Sequence, residues 1–243
     1  MAGMSAAKAD DAQAKAMFKA MSDYVSGQKA ISFKFDSNLD VVTTEQQKLG
    51  LASSGAVTIN RPDKIHATRT GGFADVEFTF DGNTMTLLGR NANAYAKVSA
   101  TGTIDQLVDQ LRDKYHRPLP AADLLMANPY DQLMPDVVDA KDLGSGVIHG
   151  VECDHLAFRT NDFDWQIWIA QGSRPYPVRY VITSSKVAGS PQYTIDVTDW
   201  KAGAEVASDS FSVAIPANAK QMNPADLPDF DELGGIFKAK LEN

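Results

Sequence analysis

Hydrophobic and polar residues alternate over most of this chain with a period of two, which is the pattern of half-buried β-strands. Ile31, Phe33, Phe35, Leu39 and Val41 occupy alternating positions in the first such segment. Because successive side chains of a strand point to opposite faces, this segment has one apolar face and one polar face. Similar segments follow, and we predict strands around residues 57–59, 65–67, 74–80, 85–88, 95–98, 137–143, 151–159, 164–170, 177–185, 192–200 and 211–215.

Short turns connect the predicted strands. Asn60–Asp63 contains Pro62, whose ring fixes φ, and Asp81–Gly82 is a strong hairpin signal. Strands linked by short turns pair antiparallel, and none of the strands after residue 136 is followed by the helix that a parallel crossover needs. A sheet of so many strands has to twist and curl. The pattern therefore predicts an α+β fold, mainly β, with one curved antiparallel sheet.

A helical period appears near both ends of the chain. We predict a first amphipathic helix from Ala14 to a stop at Gly27, preceded by a flexible N-terminus of residues 1–13. Residues 223–243 are predicted to be a docking helix or a tail. The apolar face of the first helix consists of Met17, Phe18, Met21, Tyr24 and Val25.

The period also changes to helical in the middle of the chain. Thr103 and Gln106 have the spacing of a capping box, and apolar residues follow at helical intervals. A second short helical stretch is predicted at Ala121–Met126. Residues 102–136 therefore form a helical insert within the sheet.

The composition indicates a single globular domain spanning residues 1–243. The chain is 44% hydrophobic and 22% charged, which is ordinary for a protein with a sizeable core. Its formal net charge of −8 argues against a nucleic-acid partner, because phosphates require a basic surface. The sequence has no apolar run long enough for a transmembrane segment. Cys153 is the only cysteine, which excludes an internal disulfide.

The sequence contains little that points to catalysis. Motifs typical of nucleotide, zinc-protease and serine-hydrolase sites are absent. Cys153 and His155 share a strand face near His149, but a structural zinc site takes about four ligands, so we predict no metal and no cofactor. A hydrolase built on Asp154, His155 and Asp164 is the less favoured alternative, because these groups would have to converge in one cleft. We predict that the protein is not an enzyme.

Six short motifs occur in a fixed order along the chain: Gly55–Ile65 with its Arg61-Pro62 turn, Phe80-Asp81-Gly82, Gly150–His155, Asp164–Ile169, Arg174–Thr183 and Phe211–Pro216. This order resembles that of an uncharacterised family of predicted periplasmic proteins. More distantly, it is similar to that of the lipoprotein carriers LolA, LolB and LppX. The match runs from about Phe18 to Met222, within a core of residues 14–222.

The resemblance implies a LolA-like fold, which is a half-open β-barrel with a helical lid. It also implies a periplasmic location and an apolar cavity for acyl chains. In the carriers, the arginine of the Arg-Pro turn contacts the helical lid, and at the matching position Arg61 is implied to be a lid latch. The chain begins without a signal peptide, and we expect its numbering to start after a removed leader.

Pattern and resemblance together predict periplasmic binding or carriage of an apolar ligand, either a lipid or the acyl chain of a lipoprotein. A guest of about 14 to 16 methylenes would gain roughly 11 to 13 kcal/mol from burial, before the costs of binding. The alternative is a protein–protein interaction module of the cell envelope, with its cavity filled. The predicted ligand-binding residues are Phe33, Phe35, Val57, Phe78, Phe80 and Leu87 in the sheet and Leu107, Leu111, Leu124 and Leu125 in the lid.

Overall fold

The computed structural model describes residues 3–72, 75–114 and 121–223. The predicted C-terminal helix or tail of residues 223–243 lies outside this part of the chain, apart from residue 223 itself. Twelve strands of the described residues form one sheet. Their bounds are β1 (Ala30–Val42), β2 (Lys48–Asn60), β3 (Lys64–Gly71), β4 (Asp75–Phe80), β5 (Thr84–Gly89), β6 (Ala94–Ser99), β7 (Asp139–Ile148), β8 (Val151–Arg159), β9 (Asp164–Ala170), β10 (Pro177–Thr183), β11 (Gln192–Ala202) and β12 (Lys220–Gln221).

The strand order across the sheet is β12-β6-β5-β4-β3-β2-β1-β11-β10-β9-β8-β7. Because β12 and β7 form separate edges, the curved sheet is open, as predicted for a half-barrel. Neighbouring strands pair antiparallel through to β7, but β12 pairs parallel with β6 over 2 residues. This short parallel edge was not predicted, and it arises because the chain crosses the outer face of the sheet after β11.

The predicted strand at residues 211–215 is wrong. Phe211 has a positive φ of 50°, and its backbone N–H donates to Oδ1 of Asp209 at 2.6 Å, which closes a local turn in place of a ladder. Asp209 also places Oδ2 2.8 Å from Nδ1 of His66 on β3. The segment therefore lies on the convex face of the sheet as an irregular strap.

The register places the apolar residues of neighbouring strands in rows across the concave face. One row runs from β1 to β5 through Phe33, Val57, Ala67, Phe78 and Leu87. Along β1 and β2 these residues alternate with more exposed ones. The dry face predicted from the sequence is thus the concave face, and the core lies against it.

The first helix, α1 (Gly3–Ser26), is longer than predicted. It begins at Gly3 and not at Ala14, and so includes most of residues 1–13, the segment for which we predict a flexible N-terminus. Alanine is the most frequent residue of this stretch and favours helix. Within it, Nζ of Lys15 lies 3.0 Å from Oδ2 of Asp11 one turn earlier.

Phe18 fixes α1 in one half of the concave face. Its ring centroid lies 5.2 Å from that of Trp165 on β9 and 5.6 Å from that of Phe158 on β8. Tyr130 covers the other side of the Phe18 ring at 6.1 Å. α1 therefore fills the space above β8 and β9.

The predicted helical insert consists of three short elements in its described part. They are α2 (Ile104–Asp113), a 3-10 turn (Ala122–Leu125) and α3 (Pro129–Leu133). The predicted capping box is confirmed, with Gln106 N donating to Oγ1 of Thr103 at 3.3 Å and Thr103 N donating to Oε1 of Gln106 at 2.9 Å. Ile104 N donates to the carbonyl of Pro62 at 2.9 Å, which ties α2 to the β2–β3 turn.

None of the helices in the described ranges is both long enough and apolar enough to cross a bilayer.

Replacing Thr103 by Ala is expected to lower the free energy of unfolding by about 1 kcal/mol, because the first turn of α2 loses a side-chain acceptor. Urea denaturation measures this change. Thr101→Ala is the control, since Thr101 is exposed and precedes the cap, and its effect should stay within about 0.5 kcal/mol. Equal effects of the two substitutions would contradict the assigned role of the cap.

Candidate functional site

A cavity of about 300 Å³ lies between the concave face and the helical insert. Its floor comes from β1 to β5, one wall from β10 and β11, and its roof from the end of α2 and the 3-10 turn. The lining residues are Phe33, Phe35, Leu39, Val57, Ile65, Ala67, Thr68, Arg69, Val76, Phe78, Met85, Leu87, Leu111, Ala121, Ala122, Leu124, Leu125, Pro177, Tyr180, Tyr193, Ile195, Val197 and Trp200.

Eight of the ten predicted ligand-binding residues line this cavity. Five are on the sheet and three on the insert: Phe33, Phe35, Val57, Phe78 and Leu87, and Leu111, Leu124 and Leu125. The other two, Phe80 and Leu107, are buried in the core and are not among the lining residues. Phe80 is at the end of β4, where the core is continuous, and only the C-terminal end of α2 lies over the open space. Sequence periodicity gave the correct face of the sheet for both residues, but it does not show how far along a strand or helix the cavity extends.

The wall formed by β10 and β11 was not predicted. Tyr193, Ile195 and Val197 alternate on β11 as the sequence pattern required. Their place at the cavity follows from the pairing of β1 with β11, in which Phe35 faces Val197 and Leu39 faces Tyr193. Residues so distant in the sequence give no local signal of their pairing.

Trp200 closes the end of this wall by stacking. Its ring lies parallel to Phe33 with centroids 5.7 Å apart, and on another side parallel to Tyr176 at 5.1 Å. The indole Nε1 of Trp200 is buried and has no hydrogen-bond partner among the described residues. The stack is therefore an apolar wall that also brings one buried donor to the cavity.

Tyr180 brings a second buried donor. The residue is 1% exposed, and its hydroxyl has no hydrogen-bond partner in the described part of the chain. Burial raises the pKa of this hydroxyl well above its usual value, and the charge of Asp123 raises it further. Burial also raises the pKa of Asp123 itself, on the 3-10 turn. Tyr180 therefore stays a neutral donor.

Arg69 and Tyr193 are polar lining residues at the other end of the cavity. Burial raises the pKa of the Tyr193 hydroxyl, and this is opposed by a hydrogen bond with Ser37 and by the positive charge of Arg69. Ser37 Oγ lies 2.9 Å from Oγ of Ser53 on the neighbouring strand. A polar group entering the cavity would meet these side chains first.

Arg61, the residue implied to be a lid latch, lies in the β2–β3 turn beside α2. Its Nε and Nη2 atoms are buried without hydrogen-bond partners among the described residues. Burial lowers the pKa of the Arg61 guanidinium, and the negative charge of Asp105 on α2 acts in the opposite direction. Oδ1 of Asp105 in turn accepts from the N–H of Ala127 at 3.1 Å, across the insert.

The groups of the hydrolase alternative do not converge. Asp154 pairs in register with Ile169, whereas Asp164 pairs with Arg159 at the other end of the β8–β9 hairpin. Five residues of strand separate the two pairs, which is about 17 Å. Each carboxylate has a structural partner: Gln171 donates to Asp154 at 2.7 Å, and Arg159 holds Asp164 at 2.9 and 3.0 Å.

The three residues considered as metal ligands, Cys153, His155 and His149, each contact different groups of the protein. His155 stacks on Trp168 at 3.9 Å between ring centroids, while His149 contacts Asp196. Cys153 is buried on the outer side of the sheet, where burial raises the pKa of its thiol. Among the described residues, no group of three or more His, Cys, Asp or Glu side chains is placed to hold a metal ion.

Comparisons with known proteins agree with this architecture. A family model described as "Predicted periplasmic protein (DUF2092)" matches residues 14–223. The structure of the Mycobacterium tuberculosis lipoprotein LppX is similar, with a TM-score of 0.53 and 16% identity over 82% of this chain and 100% of that chain. An uncharacterized conserved protein from Thermus thermophilus has a TM-score of 0.50 and 10% identity, covering 86% of this chain and 98% of its own.

No curated protein matches the chain. At such low identities, the similarity to the two structures shows a shared fold alone, and it confirms the predicted LppX-like half-barrel. The family match confirms the predicted periplasmic location.

The different positions of Phe78 and Phe80 predict different costs of truncation. Phe80 is 1% exposed in the core, so Phe80→Ala is expected to destabilise the protein by about 3 to 5 kcal/mol. Phe78 is half-buried and already borders empty space, so Phe78→Ala should cost only about 1 to 2 kcal/mol. Chemical denaturation of the two variants measures the difference. Equal losses would place both rings in the same environment and contradict the boundary of the cavity.

Proposed function

Because the chain belongs to the DUF2092 family of predicted periplasmic proteins, we propose that it binds an apolar ligand in the cavity beneath its helical insert and carries it through the periplasm. The observation that carries this proposal is the cavity itself, an open space of about 300 Å³ with mostly aliphatic and aromatic lining residues. Small-molecule sites have this character: an apolar lining with a few polar groups that set the orientation of the ligand.

The size of the cavity suits one hydrocarbon chain. A dry protein cavity of about 150 Å³ accommodates benzene, with six carbon atoms, so about 300 Å³ has room for roughly twelve carbons. Burial at about 0.8 kcal/mol per methylene then supplies about 10 kcal/mol gross. Losses of ligand and side-chain freedom reduce this to a reversible affinity, as a carrier requires.

The alternative predicted from the sequence is an interaction module of the cell envelope whose cavity is filled by the protein's own side chains. The open space beneath the insert supports ligand binding over that alternative. Binding of a ligand is the function that we propose.

Phe78→Asp is expected to weaken binding of a fluorescent fatty acid by at least about tenfold, because a carboxylate has to be desolvated beside the bound chain. Fluorescence titration of the purified protein measures the change. Val147→Asp is the matched control, since Val147 is 65% exposed on β7 and does not line the cavity.

A second variant covers the case in which Phe78→Asp fails to fold. Ala67 lies between Val57 and Phe78 on the floor of the cavity, and Ala67→Phe adds a ring that occupies roughly half of the space. This variant keeps the lining apolar, so thermal unfolding should remain cooperative while binding is lost. Unchanged binding in a folded sample of either variant would refute the proposed site.

We also propose that Arg61 holds the insert against the β2–β3 turn. The support is the buried guanidinium beside α2, the charge of Asp105 near it, and the bond from Ile104 N to the carbonyl of Pro62. The positive charge of the Arg61 guanidinium is attracted to Asp105 on α2, whereas the burial of that charge opposes folding. The guanidinium therefore stabilises the closed position of the insert, while it contributes little to the free energy of unfolding of the whole protein.

Arg61→Met is expected to speed dissociation of the bound probe several-fold, with little loss of thermal stability. Stopped-flow displacement of the fluorescent fatty acid measures the dissociation rate. Arg112→Met is the control, because Arg112 is on the exposed side of the same helix and pairs there with Asp109 and Asp113. A dissociation rate that does not change in Arg61→Met would rule out the latch.

A further inference from the structure

The concave face changes from apolar to polar along its strands. At the level of Phe33, the row across β1 to β5 is apolar throughout. Farther along β1 the inward residue is Ser37, which is buried and pairs in register with Ser53 on one side and Ile195 on the other. This pair of serines, Ser37 buried and Ser53 half-buried, interrupts the apolar face at this level and gives the face a polar end.

Arg69 lies on the inner face of β3, next to the polar end. Among the described residues that line the cavity, it is the only charged one. Its positive charge acts on the Tyr193 hydroxyl from across the cavity. Arg69 and Tyr193 therefore bring two donor side chains to one part of an otherwise apolar site.

The polar end is also the open end. Leu39 pairs in register with Tyr193 and is 37% exposed while lining the cavity. The opposite end lies against Ile65 and Met85, which are buried in the core. A ligand with one polar terminus is thus oriented by the site, with its chain inward and its head near the entrance.

We propose, on the premise of the proposed function, that the ligand is a single-chain amphiphile with an anionic head, and that Arg69 and Tyr193 bind that head. The head is a carboxylate or a phosphate, since both accept hydrogen bonds from guanidinium and hydroxyl groups. The chain has about twelve carbons, which is the capacity of the cavity. A lipid with two or three acyl chains exceeds that capacity.

The charge of Arg69 argues for an anion and against a neutral polar head. A half-buried cation beside apolar side chains loses part of its favourable hydration energy, and the attraction of a bound anion compensates for that loss. Arg69 already interacts with another group of the protein, but a guanidinium has five N–H donors and can serve a ligand as well.

The test compares heads on one chain length. Laurate, dodecyl phosphate and dodecanol are titrated against the full chain by displacement of N-phenyl-1-naphthylamine, a neutral apolar probe. The expected result is that at least one of the two anions binds about tenfold more tightly than dodecanol, and their ratio identifies the head. Hexadecanoate and dilauroyl phosphatidylglycerol test the limits of chain length and chain number, and both should bind more weakly than laurate.

Variants then assign the preference to Arg69. Arg69→Met should remove the tenfold preference while dodecanol and the probe still bind, and Arg69→Lys should restore part of it. Lys97→Met removes the same charge from an exposed position on β6 that does not line the cavity, and it should leave the preference intact. Tyr193→Phe should reduce the preference without affecting dodecanol.

The outcomes separate this inference from the proposed function. If the probe and dodecanol bind while the anions gain no advantage, or if Arg69→Met keeps the advantage, the anionic head is refuted and apolar binding stands. If neither the probe nor any of the amphiphiles binds the wild-type chain, the proposed function itself fails.

Discussion

One dry face of a twelve-stranded sheet has to be covered, and this requirement determines the rest of the molecule. Without a cover, an open sheet of this size would expose a large apolar surface on its concave side to water, which is energetically unfavourable. α1 covers the part above β8 and β9, where Phe18 contacts Phe158 and Trp165. Among the residues that the structure describes, α2, a 3-10 turn and α3 cover the remaining part, and they are too short to fill the concavity. The cavity is what these short elements leave open.

Local patterns predicted the elements of the fold, and contacts between distant segments decided where they lie. Alternation located the strands because a strand with one buried face has no other pattern available. Alternation gave the wrong prediction at Phe211, whose backbone N–H donates to the carboxylate of Asp209 in a local turn and not to a neighbouring strand. Helix propensity extended α1 to Gly3 through a stretch whose polarity suggested a free end. The pairing of β1 with β11 joins segments that are far apart in the sequence, and single-sequence periodicity contains no information about it.

The same division explains which site residues were found. The apolar rows on β1 to β5 and on the insert could be predicted, because the face of each residue follows from its spacing. The extent of the cavity along a strand could not be predicted from spacing. Phe80 was therefore assigned to the cavity, although it is buried in the core. Arg69 was missed for the opposite reason. An arginine at an inward position contradicts the apolar pattern, and that contradiction is itself the signal, since a local rule broken inside a consistent strand often marks a functional residue.

The insert is held on the sheet mainly by the burial of its apolar side chains. Its hydrogen bonds to the rest of the protein, such as the one from Ile104 N to the carbonyl of Pro62, contribute about 1 kcal/mol each. Leu107, Val108 and Leu133 are buried in the core, and a fully buried side chain of this kind contributes about 1.5 to 3 kcal/mol. The residues of the insert that line the cavity, among them Leu124, face the open space instead. A bound chain therefore adds apolar contacts at the part of the insert that the protein's own core leaves uncovered.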